Sequence, residues 1–87
     1  MITAHVFDTY ATTAHGKIMH FDVVIDQNNP ELALASAKQW LQSIGEDSTG
    51  LTQKNCVYCH SAQAPDQVRA EINQNGFAIL KLEGCPT

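Results

Sequence analysis

The chain predicts an α+β fold. It is expected as two layers in the order β-β-α-β-α-β, a four-stranded mixed sheet with two helices packed on one face. Three observations predict it. Residues 2–26 are rich in β-branched and aromatic side chains and are split by a glycine turn. Asn29-Pro30-Glu31 is a helix start, followed by apolar residues at helical spacing. A second, shorter amphipathic stretch lies between two further strand-like segments.

The first strand is expected from Ile2 to Tyr10 and the second from Lys17 to Asp26. Between them, Thr12-Thr13-Ala14-His15-Gly16 reads as a turn, with Gly16 free to adopt positive φ. With His15-Gly16 as the central pair, Tyr10 faces Phe21, Val6 faces Ile25, Asp8 faces Val23 and Thr12 faces Met19. That register gathers most of the large apolar groups on one face, and a slip of one residue would scatter them. The opposite face then carries His5, Phe7, Thr9, His20, Asp22, Val24 and Asp26, and is half polar.

Asn29 is a good N-cap, Pro30 suits the first helical position and Glu31 complements the dipole. Leu34, Ala37, Leu41 and Ile44 recur at helical spacing beside Trp40, which reads as core or interface, and Gly45 ends the helix. Leu51 to Tyr58 reads as a third strand. Pro65 to Asn75 reads as a second helix, with Val68 and Ile72 four apart and Gly76 as its stop. Phe77 to Glu83 reads as the last strand. Each helix bridges two strands, so parallel neighbours with right-handed crossovers are expected.

The 87 residues make one domain, and 44% hydrophobic against 16% charged residues suffices for a core. The formal charge is -4 with five Lys and Arg, so no cationic patch for a phosphate backbone is visible in the sequence and generic nucleic-acid binding is not expected. No apolar run approaches the ~20 residues of a membrane span, and the N-terminus lacks the basic start and apolar block of a signal peptide. Three cysteines without framework spacing suit reduced thiols in the cytoplasm. With both helices on one face, the other is left for a second copy. Phe7 and Val24 on it motivate a homodimer.

His5-Val6-Phe7-Asp8-Thr9, His20-Phe21-Asp22-Val23, Cys59-His60-Ser61 and Glu83-Gly84-Cys85 together resemble the bacterial domain of unknown function 2024 family, over nearly the whole chain. The resemblance implies a small soluble bacterial protein of α+β type. It brings no activity, substrate, cofactor or catalytic residue.

Cys56-Val57-Tyr58-Cys59-His60 is the one stretch with motif-level chemistry. As C-x-x-C-H it matches covalent haem attachment, with His60 on the iron. The second axial ligand would have to come from Met1, His5, His15, Met19 or His20, the chain is strand-rich, and no export signal is present, so haem is disfavoured. Zinc fits better. Cys56, Cys59 and Cys85 could supply three ligands and His60 a strained fourth, but a strand running through Cys59 would point Cys56 and Cys59 apart. Cys-Val-Tyr-Cys also looks like the Cys-Pro-Tyr-Cys of glutaredoxins, yet no helix begins directly after it to stabilise a thiolate. Cys56 and Cys59 as ordinary small apolar residues near a strand end account for the motif better than any of these chemistries.

Among the other polar residues, Asp8 falls on the apolar face, where an unpaired carboxylate is costly. His20 and Asp22 share one face, with Thr9 opposite Asp22. They read either as a base or metal ligand with its carboxylate or as polar partners on an exposed sheet, the commoner arrangement. His5 joins them as a candidate. The resulting expectation is a non-enzymatic binding or interaction module with no identified ligand. Its alternative is a zinc or thiol-redox protein built on the cysteines.

Overall fold

The structure, a computed structural model, describes residues 3–85. The expected strand start at Ile2 and the axial candidate Met1 lie outside the described residues. The described strands are β1 (Thr3–Thr12), β2 (Ile18–Ile25), β3 (Cys56–Gln63) and β4 (Ala78–Glu83). The helices are α1 (Pro30–Ser43), between β2 and β3, and α2 (Asp66–Asn75), between β3 and β4. The element order is the one expected.

The sheet order is β3-β1-β2-β4, and every neighbouring pair is antiparallel. The expectation of a mixed sheet is therefore corrected. Both helical connections join strands that are not neighbours: α1 leads over β1, and α2 carries the chain from one edge to the other. A crossover sets parallel pairing only where it returns to the adjacent position.

The register of the first hairpin differs by one residue from the expected one. Thr13 N donates to Lys17 O (2.8 Å) and Gly16 N donates to Thr13 O (3.0 Å), with Gly16 at φ +82°. The connection is thus the three residues Ala14-His15-Gly16, a type I turn closed by a left-handed glycine, instead of a two-residue turn. The Thr13 hydroxyl accepts from His15 N and Lys17 N and braces it. One extra loop residue changes the parity. Asp8 pairs with Asp22, Tyr10 with His20, Val6 with Val24 and Phe7 with Val23.

That shift distributes apolar residues over both faces, and each face receives a helix. Phe7, Ala11, Met19, Phe21, Val23 and Ile25 pack with Cys56 under Ala33, Ala37 and Leu41 of α1. Trp40 lies against Phe21, with ring centroids 4.7 Å apart. Ala4, Val6, Val24 and Ala78 pack on the other side under Ile72 and Val68 of α2. Val6, Phe21 and Ile25 are all buried as expected, but Val6 belongs to the opposite core. The helices do not share a face, and Phe7 and Val24, the motive for a dimer, are both covered.

Asn29 caps α1 as expected, its Oδ1 accepting from Glu31 N (3.1 Å) and Leu32 N (3.2 Å). The third strand begins later than expected, at Cys56. Asn55 Oδ1 accepts from Thr52 N and Thr52 Oγ1, folding Gln53–Asn55 into a 3-10 turn where an extended chain was anticipated. Both outer strands are irregular. β3 holds an extra residue, Cys59, between the pairs Phe7–Tyr58 and Val6–His60, and β4 holds Leu82 between Phe21–Lys81 and His20–Glu83.

Candidate functional site

Since α2 covers only one end of its face, the other end of β1 and β2 stays open. Side chains alternate along each strand, so Val6, Asp8 and Tyr10 share that face with His20, Asp22 and Val24. Val6 and Val24 lie under α2; Asp8, Tyr10, His20 and Asp22 do not.

Three of these groups converge. Asp8, His20 and Asp22 each place one ligand atom so that all lie within 4.8 Å of one another. Among the described residues this is the one group of three or more His, Cys, Asp or Glu side chains that does so. His20 Nε2 is hydrogen-bonded to Asp8 Oδ1. Tyr10 stacks on the His20 ring at 4.2 Å and 7° between planes, which fixes the plane of the imidazole. Their side chains are partly exposed, 24% for His20 and 36% for Asp8, so solvent reaches the group.

Asp22 sits directly across from Asp8, a placement in which like charges oppose each other. Burial, first, and then the charge of Asp8 and a hydrogen bond with it hold the Asp22 carboxyl above the usual carboxylate range. His20 and His60 pull it part of the way back. The arrangement can share a proton between two carboxyls or replace that proton with a cation. Apolar side chains frame it: Val57 pairs with Asp8 from β3, and Leu80 with Asp22 from β4.

The cysteine set does not meet. Cys56 lies in the α1-side core and accepts from Thr9 Oγ1 (3.4 Å), and burial pushes its thiol up. Cys59 is exposed at the β3 irregularity. Cys85 follows β4 at the other edge of the sheet and donates to His20 O and Glu83 O, each at 3.5 Å. No three of Cys56, Cys59, Cys85 and His60 bring ligand atoms within 4.8 Å of one another. β3 runs on to Gln63 instead of turning after Val57, and its extra residue at Cys59 puts Cys56 and His60 on opposite faces. For haem, Met19 is buried in the core, and His20 is committed to Asp8. His5 lies on the other face, its Nδ1 2.7 Å from Ser61 Oγ, which is 2.5 Å from Tyr58 Oη.

Sequence reasoning paired His20 with Asp22 on one face but placed Asp8 on the other, because its register put Asp8 opposite Val23. Tyr10 was not named. The available signal was Gly16, whose position after Ala14-His15 also fits a three-residue turn.

Fold and site together define a small antiparallel α+β protein with an imidazole–dicarboxylate group on its open sheet face. The family model described as "Domain of unknown function (DUF2024)" matches residues 2–82, and the chain belongs to that family. Among solved structures, the NMR structure of protein NE1680 from Nitrosomonas europaea is similar: 47% identical, covering 98% of this chain and 100% of that one, with a TM-score of 0.87. No curated protein matches the chain. No described helix is long and apolar enough to cross a membrane.

Proposed function

We propose that this protein is a metal-binding module that holds one divalent cation on its open sheet face through Asp8, His20 and Asp22. The observation that carries the reading is the convergence of two carboxylates and one imidazole within 4.8 Å. An ordinary surface ion pair needs only His20 and one aspartate. Here a second carboxylate stands opposite the first, against its own electrostatic preference, and a cation would reconcile the two. His20 reaches it as a neutral ligand once Asp8 releases its hydrogen bond or turns it to the ring's other nitrogen.

Isothermal titration of chelator-treated protein with zinc and with manganese tests this. One equivalent should bind, and Asp8→Asn, His20→Ala and Asp22→Asn should each weaken it, whereas Cys59→Ser should not. Absence of stoichiometric binding would overturn the reading. So would binding that survives Asp22→Asn and is abolished by Cys59→Ser, which would return the site to the thiols.

A second reading is favoured by one observation. Tyr10 (48% exposed), Val57 (55%) and Leu80 (41%) surround the polar group on the open face. Such a frame suits a second copy of the chain laid over it. Sedimentation at high concentration would decide, a monomer throughout excluding the homodimer.

A further inference from the structure

We infer that His60 is a fourth ligand of the ion held by Asp8, His20 and Asp22, and that the site therefore takes a first-row transition ion of the zinc or iron(II) class in preference to magnesium or calcium. The inference rests on the reading of those three residues as a metal site.

The argument begins with the extra residue in β3. Going along the strand, Cys56 pairs with Thr9, Val57 with Asp8 and Tyr58 with Phe7. An unbroken ladder would continue with Cys59 against Val6 and His60 against His5. His60 would then share the face of His5 and Phe7, beneath α1 and away from the aspartates. The ladder instead skips Cys59 and pairs His60 with Val6. A bulge re-aims the side chains beyond it, and here it turns His60 onto the face of Asp8 and Asp22.

The position it reaches mirrors that of His20. His20 pairs with Tyr10, two residues after Asp8; His60 pairs with Val6, two residues before it. Each histidine is thus a diagonal neighbour of Asp8, one from each flanking strand. Diagonal neighbours stand ~7–8 Å apart between Cα atoms, within reach of long side chains. His20 closes its diagonal with a hydrogen bond to Asp8. His60 is exposed on an edge strand, and its ring lies outside the 4.8 Å group of Asp8, His20 and Asp22, so closing the other diagonal takes a rotation of its side chain toward them.

Two imidazole nitrogens and two carboxylate oxygens make a mixed donor set. Zinc and first-row ions favour such a set, while magnesium and calcium take oxygen ligands almost throughout. Cys56-Val57-Tyr58-Cys59-His60 then has a physical role distinct from haem, zinc-thiolate or disulfide chemistry: Cys59 absorbs the extra residue and His60 is the group so delivered.

Titration of the full chain with zinc and, separately, with magnesium, in wild type, His60→Ala, Cys59→Ser and a deletion of Cys59, tests the assignment. Cobalt absorption of each protein serves as a second readout. His60→Ala should lose at least the ~10–100-fold in zinc affinity that even an outer partner is worth, and should change the cobalt spectrum. Cys59→Ser keeps the extra residue and should bind as wild type does. The deletion restores an unbroken ladder and should behave like His60→Ala; if it fails to fold, His60→Ala decides alone, its exposed position making misfolding there a refutation. Zinc affinity of His60→Ala within about twofold of wild type would overturn the inference and leave the three-residue site standing. Wild type that prefers magnesium would overturn the ion class. Wild type that binds neither ion would overturn both this inference and the proposed function.

Discussion

Replacing Asp22 with Asn should make the metal-free protein more stable at neutral pH while destroying its affinity for the ion. At the 4.8 Å outer limit of the ligand-atom separations, two full charges repel by about 0.9 kcal/mol even in bulk water. Directly opposed like charges on a sheet cost roughly 0.2–1 kcal/mol, and partial exposure of the pair argues for that screened range. An amide at position 22 removes the repulsion and can still donate to Asp8. A gain of about 0.5–1 kcal/mol corresponds to a rise in Tm of about 2–8 °C in a chain of this length. The pH dependence has a definite sign. The folded-state carboxyl is raised above its ordinary 3.8, chiefly by burial. The stability it contributes is therefore fully present below 3.8 and is lost as pH rises through the raised value. Wild type and Asp22→Asn should melt together in acid and diverge as pH climbs toward neutrality. Thermal melts in chelator across that range are the assay. Adding zinc should reverse the order, since an ion at a hundredfold excess over its Kd stabilises wild type by about 2.7 kcal/mol and the variant hardly at all. A variant no more stable than wild type in chelator at neutral pH, or equally favoured at every pH, would refute the electrostatic argument.

Three more expectations concern separate parts of the molecule. Ion affinity should climb with pH through the raised Asp22 value and level off above it, because the proton and the cation compete for one carboxyl, and titrations at stepped pH would reveal this. With a chromogenic disulfide, Cys59 should react at once, whereas Cys56, buried beside Thr9 with its thiol pushed up, should wait for unfolding. Gly84→Ala should cost roughly 1–3 kcal/mol in a denaturant melt, since φ there is +70° and an added Cβ would meet Ile18 O at 2.3 Å; it should also free Cys85 from His20 O and speed its labelling.

How far the chain discloses itself depends on where its signals are local. Asn29, Pro30 and the apolar spacing through Leu41 announce α1 because capping and amphipathicity act within a few residues. The hairpin was legible as a hairpin, but its register hung on whether Gly16 is the second or the third loop residue, a choice local composition does not make. That single residue decided that Asp8 meets Asp22, that both faces are apolar, and that the helices divide between them. β3 was misplaced because only Cys56, its first residue, is buried and an edge strand without alternation looks like loop. The extra residue at Cys59 carries no signature of its own. Asp8, His20 and Asp22 could thus be singled out by type, while their convergence needed the pairing of two strands, and the place of His60 needed a third.

The irregular outer strands also bear on how the protein keeps to itself. The sheet is open, so among the described residues β3 and β4 each have one edge without a neighbouring strand, the kind of edge on which fibrils grow. Cys59 in one rim and Leu82 in the other interrupt those edges partway along. A neighbouring molecule can therefore add only a few residues in step before its hydrogen bonds fall out of phase. Straightening either rim would lengthen the stretch available for stacking, and concentrated solutions of such a variant should scatter light and bind amyloid dyes where the natural chain stays clear.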